Sequence, residues 1–153
     1  MKMTKKSSSI PVFQVDAFTE EPFGGNPAAV CLVDAFLPEE TMRKIAMEMN
    51  LSETTFVLPS EGGGDVRVRI FTPVLELPFA GHPTIGSCRA WLNHGGEPRS
   101  AGTVVQECGI GLVELRHRDE QLAFAIGIAA SFGIWLSRSR KTTFSYFRPR
   151  CAS

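Results

Sequence analysis

The sequence predicts an α+β domain built from short strands and two helices. Three observations carry this. Short runs alternate apolar and polar residues or are rich in β-branched side chains. Only two stretches carry helix start and stop signals. Dense Gly/Pro turns separate them, without the regular strand–helix–strand repeat of a doubly wound sheet. The chain has 153 residues, 43% hydrophobic and 21% charged. At roughly 100–200 residues per domain, that is one domain, or one domain plus a tail.

The elements follow in order. Residues 10–17 alternate and read as a strand, with Pro11 near its start. Residues 20–27 hold Pro22, Gly24, Gly25, Asn26 and Pro27, a dense turn signal. Residues 28–33 are a short apolar run, read as a buried strand. A helix is expected over 38–49. Pro38, Glu39 and Glu40 occupy its first turn, where a missing N–H and negative charge are favourable. Met42, Ile45, Ala46 and Met49 form its apolar stripe, and Asn50 is its stop. Residues 54–58 are β-branched and read as a strand; 60–65 form a glycine-rich hairpin loop. In 65–72, Val66, Val68 and Ile70 alternate with Arg67, Arg69 and Phe71, a two-sided strand. Residues 77–83 are a second turn-rich loop, and Pro83 opens a helix that stops near Asn93. Residues 102–108, 110–115 and 121–125 suggest three more strands.

Charge is unevenly spread. Sixteen basic and sixteen acidic residues cancel, which excludes a bulk polyanion binder. Eleven basic and all sixteen acidic residues precede position 131; five basic and no acidic residues follow it. Residues 126–136 are apolar, and the Ser/Arg-rich stretch beyond carries Phe144, Tyr146 and Phe147. Such a tail suits a nucleic-acid or membrane-surface arm. The preferred reading is a segment not selected for this fold, such as a shifted reading frame. The stretch shows no helical stripe with caps and no clean alternation. No apolar run approaches the roughly 20 residues that span a bilayer. Lys2, Lys5 and Lys6 are followed by no apolar stretch of a secretory signal, so the cytoplasm is the expected compartment. Cys31, Cys88, Cys108 and Cys151 show no CxxC spacing and read as small hydrophobes or bystanders. The three histidines have no metal-ligand spacing, and His94 and His117 read as surface residues.

Three constellations can carry chemistry. In Asn50-Leu51-Ser52-Glu53, the carboxylate lies between a helix end and a strand among apolar neighbours. A desolvated carboxylate holds a proton more tightly, and so can both take one and return it. An exposed or cap-like glutamate fits the same letters. In Ala80-Gly81-His82-Pro83-Thr84-Ile85-Gly86, a glycine permits close backbone approach and a helix start offers N–H groups to an anion. His82 can hydrogen-bond a carboxylate or share a proton; a plain helix-opening turn is the alternative. In Phe23-Gly24-Gly25-Asn26-Pro27, Asn26 either satisfies its own turn or reaches a substrate.

Taken together these segments, with Val15-Asp16-Ala17-Phe18-Thr19, Arg69-Ile70-Phe71-Thr72-Pro73 and Glu76-Leu77-Pro78-Phe79, resemble the N-terminal half of the PhzF-like (phenazine biosynthesis) family over residues 9–125. The resemblance implies a diaminopimelate-epimerase-like fold: a curved mixed sheet or barrel wrapped around a central helix, one of the usual two domains. That helix would be the one after His82. It implies a cofactor-independent isomerase that moves a proton within a dihydro-hydroxyanthranilate-like, carboxylate-bearing substrate. Glu53 would be the catalytic acid/base. His82 would contact the substrate; Gly81, Pro83 and Thr84 would shape the helix start, and Asn26 would line the pocket. The epimerase cousins use two cysteines, and none of those here stands at position 53.

The expected organisation is a flexible 1–8, a PhzF-like domain over 9–125 and an atypical basic tail over 126–153. Family members are about twice as long, so the expectation is a truncated or frame-shifted chain, weakly active or inactive alone. Its partners would be a small carboxylate substrate and a second copy in a homodimer. No cofactor, metal, membrane or nucleic acid is expected. The alternative is a non-catalytic half-domain acting as a protein-binding or dimerising module.

Overall fold

The computed structural model describes residues 9–17, 24–118 and 121–124, together with the backbone of two short strands at 135–137 and 145–147. Alternating or β-branched segments give β1 (Val12–Ala17), β2 (Asn26–Leu32), β3 (Glu53–Pro59), β4 (Val66–Phe71) and the two-residue β5 (Glu76–Leu77). They also give β6 (Thr103–Cys108), β7 (Gly111–Arg118) and β8 (Gln121–Phe124), with β9 (Trp135–Ser137) and β10 (Ser145–Phe147) following. The helices are α1 (Glu39–Met49) and α2 (Gly81–Asn93). The strands form one curled mixed sheet in the order β10-β1-β2-β3-β4-β6-β7-β8-β9, with β5 paired to β4.

Two neighbouring pairs are parallel, β2 with β3 and β4 with β6. A parallel pair needs a long crossover. Helix α1 supplies the first and α2 the second, and the two helices serve different cores. Helix α2 packs on β1, β2, β3, β4 and β8, so the sheet wraps around it. Its core includes Val15, Val30, Val57, Val68, Ile85, Cys88 and Leu115. Helix α1 packs on β3 and β4 over Ala29, Cys31, Met42, Ala46, Phe56 and Phe71. Successive residues of a strand point to opposite faces. Val57 therefore enters one core and Phe56 the other, which is why 54–57 is buried throughout.

Seven of the thirteen residues of α2 are buried, six of them consecutive from Pro83 to Cys88. A helix enclosed on most sides shows no apolar stripe. Its small residues let the sheet close in: a Cβ on Gly86 would lie 3.3 Å from Cγ1 of Val15.

Helix α1 forms as expected. Pro38 is its N-cap, and Asn50 ends it in the left-handed conformation at φ 50°, donating its N–H to the Ala46 carbonyl. Arg69 links α1 to the sheet. It bridges Glu39 at 2.8 Å and Glu76 at 2.7 Å above the Phe71 ring.

The loop between β3 and β4 is held by one carboxylate. Glu107, 8% exposed, accepts hydrogen bonds from the backbone N–H groups of Glu61 (3.0 Å), Gly62 (2.8 Å) and Gly64 (2.8 Å) and from the Ser60 hydroxyl. Burial pushes its pKa up, but these four donors outweigh burial and hold it down from 4.5 to about 2. A depressed carboxylate adds stability above its unfolded value and loses it as pH falls through the folded one. The linkage is about 3 kcal/mol, lost between pH 4.5 and about 2. Glu107→Gln is therefore expected to cost roughly 2–3 kcal/mol at neutral pH. Urea unfolding at pH 7 and pH 2.5 checks this: the gap from wild type narrows in acid, and a pH-independent gap contradicts it. Gly64 sits against this carboxylate, where a Cβ would come within 2.8 Å of Glu107 Cγ and 2.9 Å of the Val105 carbonyl oxygen. Gly64→Ala is expected to lower the melting temperature by several degrees, on the order of 1–3 kcal/mol of overpacking.

Three local expectations are corrected. Asn26 and Pro27 belong to β2, where they pair with Ala17 and Asp16, because backbone pairing with β1 overrides the turn composition. The start of the turn signal, 18–23, lies outside the described residues. Leu77, placed in the loop, pairs instead with Ile70 as the end of β5. Helix α2 opens at Gly81, two residues before Pro83; proline is tolerated there because a first-turn N–H has no acceptor within the helix. After residue 126, β9 pairs with β8 and β10 with β1, through backbone bonds that need no side-chain pattern. The remainder of 125–153 and all of 1–8 lie outside the described residues. Among those described, no helix is long and apolar enough to cross a membrane.

Candidate active site

The candidate site stands where β3 begins beside the start of α2. Strand alternation puts Glu53, Thr55 and Val57 on the α2 side of the sheet. His82 is the second residue of α2. Its Nε2 lies 2.9 Å from Oε2 of Glu53, with the side chains 14% and 16% exposed. The contact lies outside hydrogen-bond geometry, and neither atom has a hydrogen-bond partner among the described residues. Both are therefore unspent polar atoms in contact, a carboxylate and an imidazole able to hold one proton between them.

Each remaining expected residue has a place around this pair. Ala80 is the N-cap of α2 and makes no side-chain cap bond. The N–H groups of Gly81 and His82 have no acceptor within the helix, and they mark its positive end. Pro83 and Thr84 are buried behind them, and the Thr84 hydroxyl donates to the Ala80 carbonyl at 2.8 Å. These two shape the helix start without facing out. Asn26 is exposed at the start of β2. Ala28 is the register partner of Glu53, so Asn26 lies two residues from that pair on the same face.

The other candidates stand apart. His94 is exposed and stacks edge-on with Phe13 at 5.5 Å. His117 lies on β7, half-buried, correcting its reading as a surface residue: its Nδ1 is buried without a hydrogen-bond partner among the described residues. Burial pushes the Cys31 and Cys88 thiols up to about 12, far from thiolates at neutral pH. Among the described residues, no group of three His, Cys, Asp or Glu side chains could hold a metal ion. A cavity of about 510 Å³ lies at the other end of α2, lined by Asp34, Phe36, Trp91 and His94 among others. It includes neither Glu53 nor His82, and its walls hold no comparable pair.

Three polar residues around the site went unread in the sequence. The Ser87 hydroxyl donates to Thr55 Oγ1 at 2.7 Å, and Thr55 Oγ1 donates in turn to the Ala29 carbonyl at 3.5 Å. Gln106, 1% exposed on β6, donates to the Thr84 carbonyl at 3.2 Å. Its only signal is a polar residue in an apolar slot, between Val104 and the apolar end of the strand pair.

A curled mixed sheet around a buried helix is the epimerase-like fold class. The family model for phenazine biosynthesis-like protein (PhzC-PhzF) matches residues 15–140, and the chain belongs to that family. It is 57% identical over 80 residues to trans-2,3-dihydro-3-hydroxyanthranilate isomerase of Pseudomonas fluorescens, covering 52% of this chain and 29% of that protein. It is 50% identical over 103 residues to antisense-enhancing sequence 1 of Schizosaccharomyces pombe, covering 67% and 35%. The crystal structure of a PhzF family protein from Enterococcus faecalis superposes with a TM-score of 0.69 at 35% identity, over 76% of this chain and 44% of that one. A hydroxyproline epimerase from Agrobacterium vitis shares the fold at 16% identity, with a TM-score of 0.57 over 78% and 42%. The chain spans about a third of the length of the curated relatives it matches.

Proposed function

We propose that this chain carries the acid/base pair of a cofactor-independent isomerase that moves a proton within a small carboxylate-bearing substrate. The observation that carries this reading is the Glu53–His82 contact at 2.9 Å, beside the start of a buried helix. Glu53 takes a proton from one substrate carbon and returns it to another as the double bond shifts. His82 steadies the protonated carboxyl and shares the proton. The first-turn N–H groups of Gly81 and His82 receive the substrate carboxylate, and Asn26 borders its approach. A dihydro-hydroxyanthranilate-like ring fits this assignment, and the name of the Pseudomonas fluorescens relative supports it. The contacting atoms are buried but the two side chains stay 14% and 16% exposed, so water is only partly excluded and turnover by this chain alone is expected to be slow.

Titration of the ¹⁵N-labelled chain with 3-hydroxyanthranilate, a stable aromatic relative of such a substrate, tests the placement. Amide shifts are expected at Gly81 and His82. Shifts confined to Trp91 and His94, beside the cavity at the far end of α2, would contradict it.

A further inference from the structure

We propose that the buried hydroxyl pair Thr55–Ser87 sets the spacing of Glu53 and His82. This rests on the reading of those two residues as the acid/base pair. Thr55 and Ser87 are both 0% exposed, and their oxygens are 2.7 Å apart. Thr55 lies two residues beyond Glu53 on the same face of β3, roughly 7 Å along a strand. Ser87 lies five residues beyond His82, roughly 7.5 Å along a helix. The two advances are similar, so a slide of α2 along β3 would move both contacts together, with His82 and Ser87 about 140° apart around the helix axis.

The contact of α2 with β1, β2 and β3 around this pair is apolar, through Val15, Val30, Val57, Ile85 and Cys88, while Gln106 on β6 holds the Thr84 carbonyl from another side. Apolar packing is non-directional and tolerates small slides of a helix along a strand. A hydrogen bond between buried hydroxyls is directional and loses its geometry with such a slide. Both residues are fully buried, out of reach of a substrate, so both are positioning residues that act through Glu53 and His82.

The test is the ¹⁵N signal of the His82 ring at Nε2, which responds to the neighbouring carboxylate. Glu53→Gln is expected to move this signal. Thr55→Val keeps the side-chain shape but removes the hydroxyl, and is expected to move it in the same direction; Thr55→Ser keeps the hydroxyl and is expected to leave it in place. Ser87→Ala, a favourable helix substitution, is expected to behave like Thr55→Val and stands in for it if valine prevents folding. In isomerase assays both hydroxyl deletions are expected to lower kcat roughly tenfold to a hundredfold with KM little changed, with Thr55→Ser restoring it. If Glu53→Gln moves the His82 signal while folded Thr55→Val and Ser87→Ala do not, the positioning proposal is overturned and the pair stands. If Glu53→Gln leaves the signal unmoved, the pair reading itself fails, and this proposal with it.

Discussion

Replacing Glu53 with glutamine is expected to lower isomerase turnover by roughly 10²–10⁴-fold, the usual contribution of a positioned acid/base group. The substitution preserves size and shape. Glu53 Oε2 lies against His82 and makes no hydrogen bond among the described residues. Melting temperature is therefore expected to change little, and the loss would be chemical. Glu53→Asp withdraws the carboxylate by one methylene from the 2.9 Å contact and is expected to retain an intermediate rate. His82→Gln leaves Glu53 to act with less support, and a smaller loss is expected. Steady-state kinetics on the three folded variants check this order. Equal rates for wild type and Glu53→Gln would remove Glu53 from the mechanism.

The second large effect is on stability. Phe71→Ala is expected to destabilise the chain by about 3–5 kcal/mol, the range for deleting a buried aromatic ring. Phe71 is 0% exposed and meets Phe56 edge-on at 5.5 Å. Arg43 and Arg69 lie over its ring at 5.6 and 5.3 Å, so the same ring anchors α1 to the sheet and seats the Arg69 ion pairs. Domains are stable by about 5–15 kcal/mol in total, so this deletion leaves little margin. The expected fall in melting temperature is on the order of 10 °C. Phe36→Ala is the control: Phe36 is 89% exposed, and its loss is expected to stay within about 0.5 kcal/mol. Thermal melts of the two variants separate burial from aromatic content.

Much of this architecture was legible in the sequence because local signals and tertiary contacts agree. In α1, the proline, the two glutamates, the Met42–Ala46 spacing and Asn50 all point to the same helix. In β4, the valines and isoleucine face the α2 core while Arg67 and Arg69 lie on the opposite face, Arg69 bridging to Glu39 of α1. Legibility failed where neighbours decide. The Gly/Pro composition before β2 suggested a turn, yet Asn26 and Pro27 extend the strand because β1 pairs with them. Helix α2 has no one-sided stripe, since the sheet surrounds it, and only its turn residues announced it.

The site divides in the same way. His82, Gly81 and Asn26 stood out beside glycine and proline, and Glu53 as a carboxylate between a helix end and a strand among apolar neighbours. Their contact could not be read, because Glu53 and His82 are 29 positions apart and meet only when the sheet curls. Thr55 and Ser87 left no trace: a threonine in a β-branched strand and a serine among small helix residues look like packing. Their partnership exists only across the interface of β3 and α2.

The central claim is that Glu53 exchanges a proton with a substrate carbon. The most direct measurement is NMR of trans-2,3-dihydro-3-hydroxyanthranilate incubated with the purified chain in D₂O, beside Glu53→Gln. The account predicts deuterium entering the substrate or its isomer slowly, above the buffer rate, and at the buffer rate with Glu53→Gln. Deuterium entering equally fast with Glu53→Gln, or never exceeding the buffer rate with the folded wild-type chain, would contradict it.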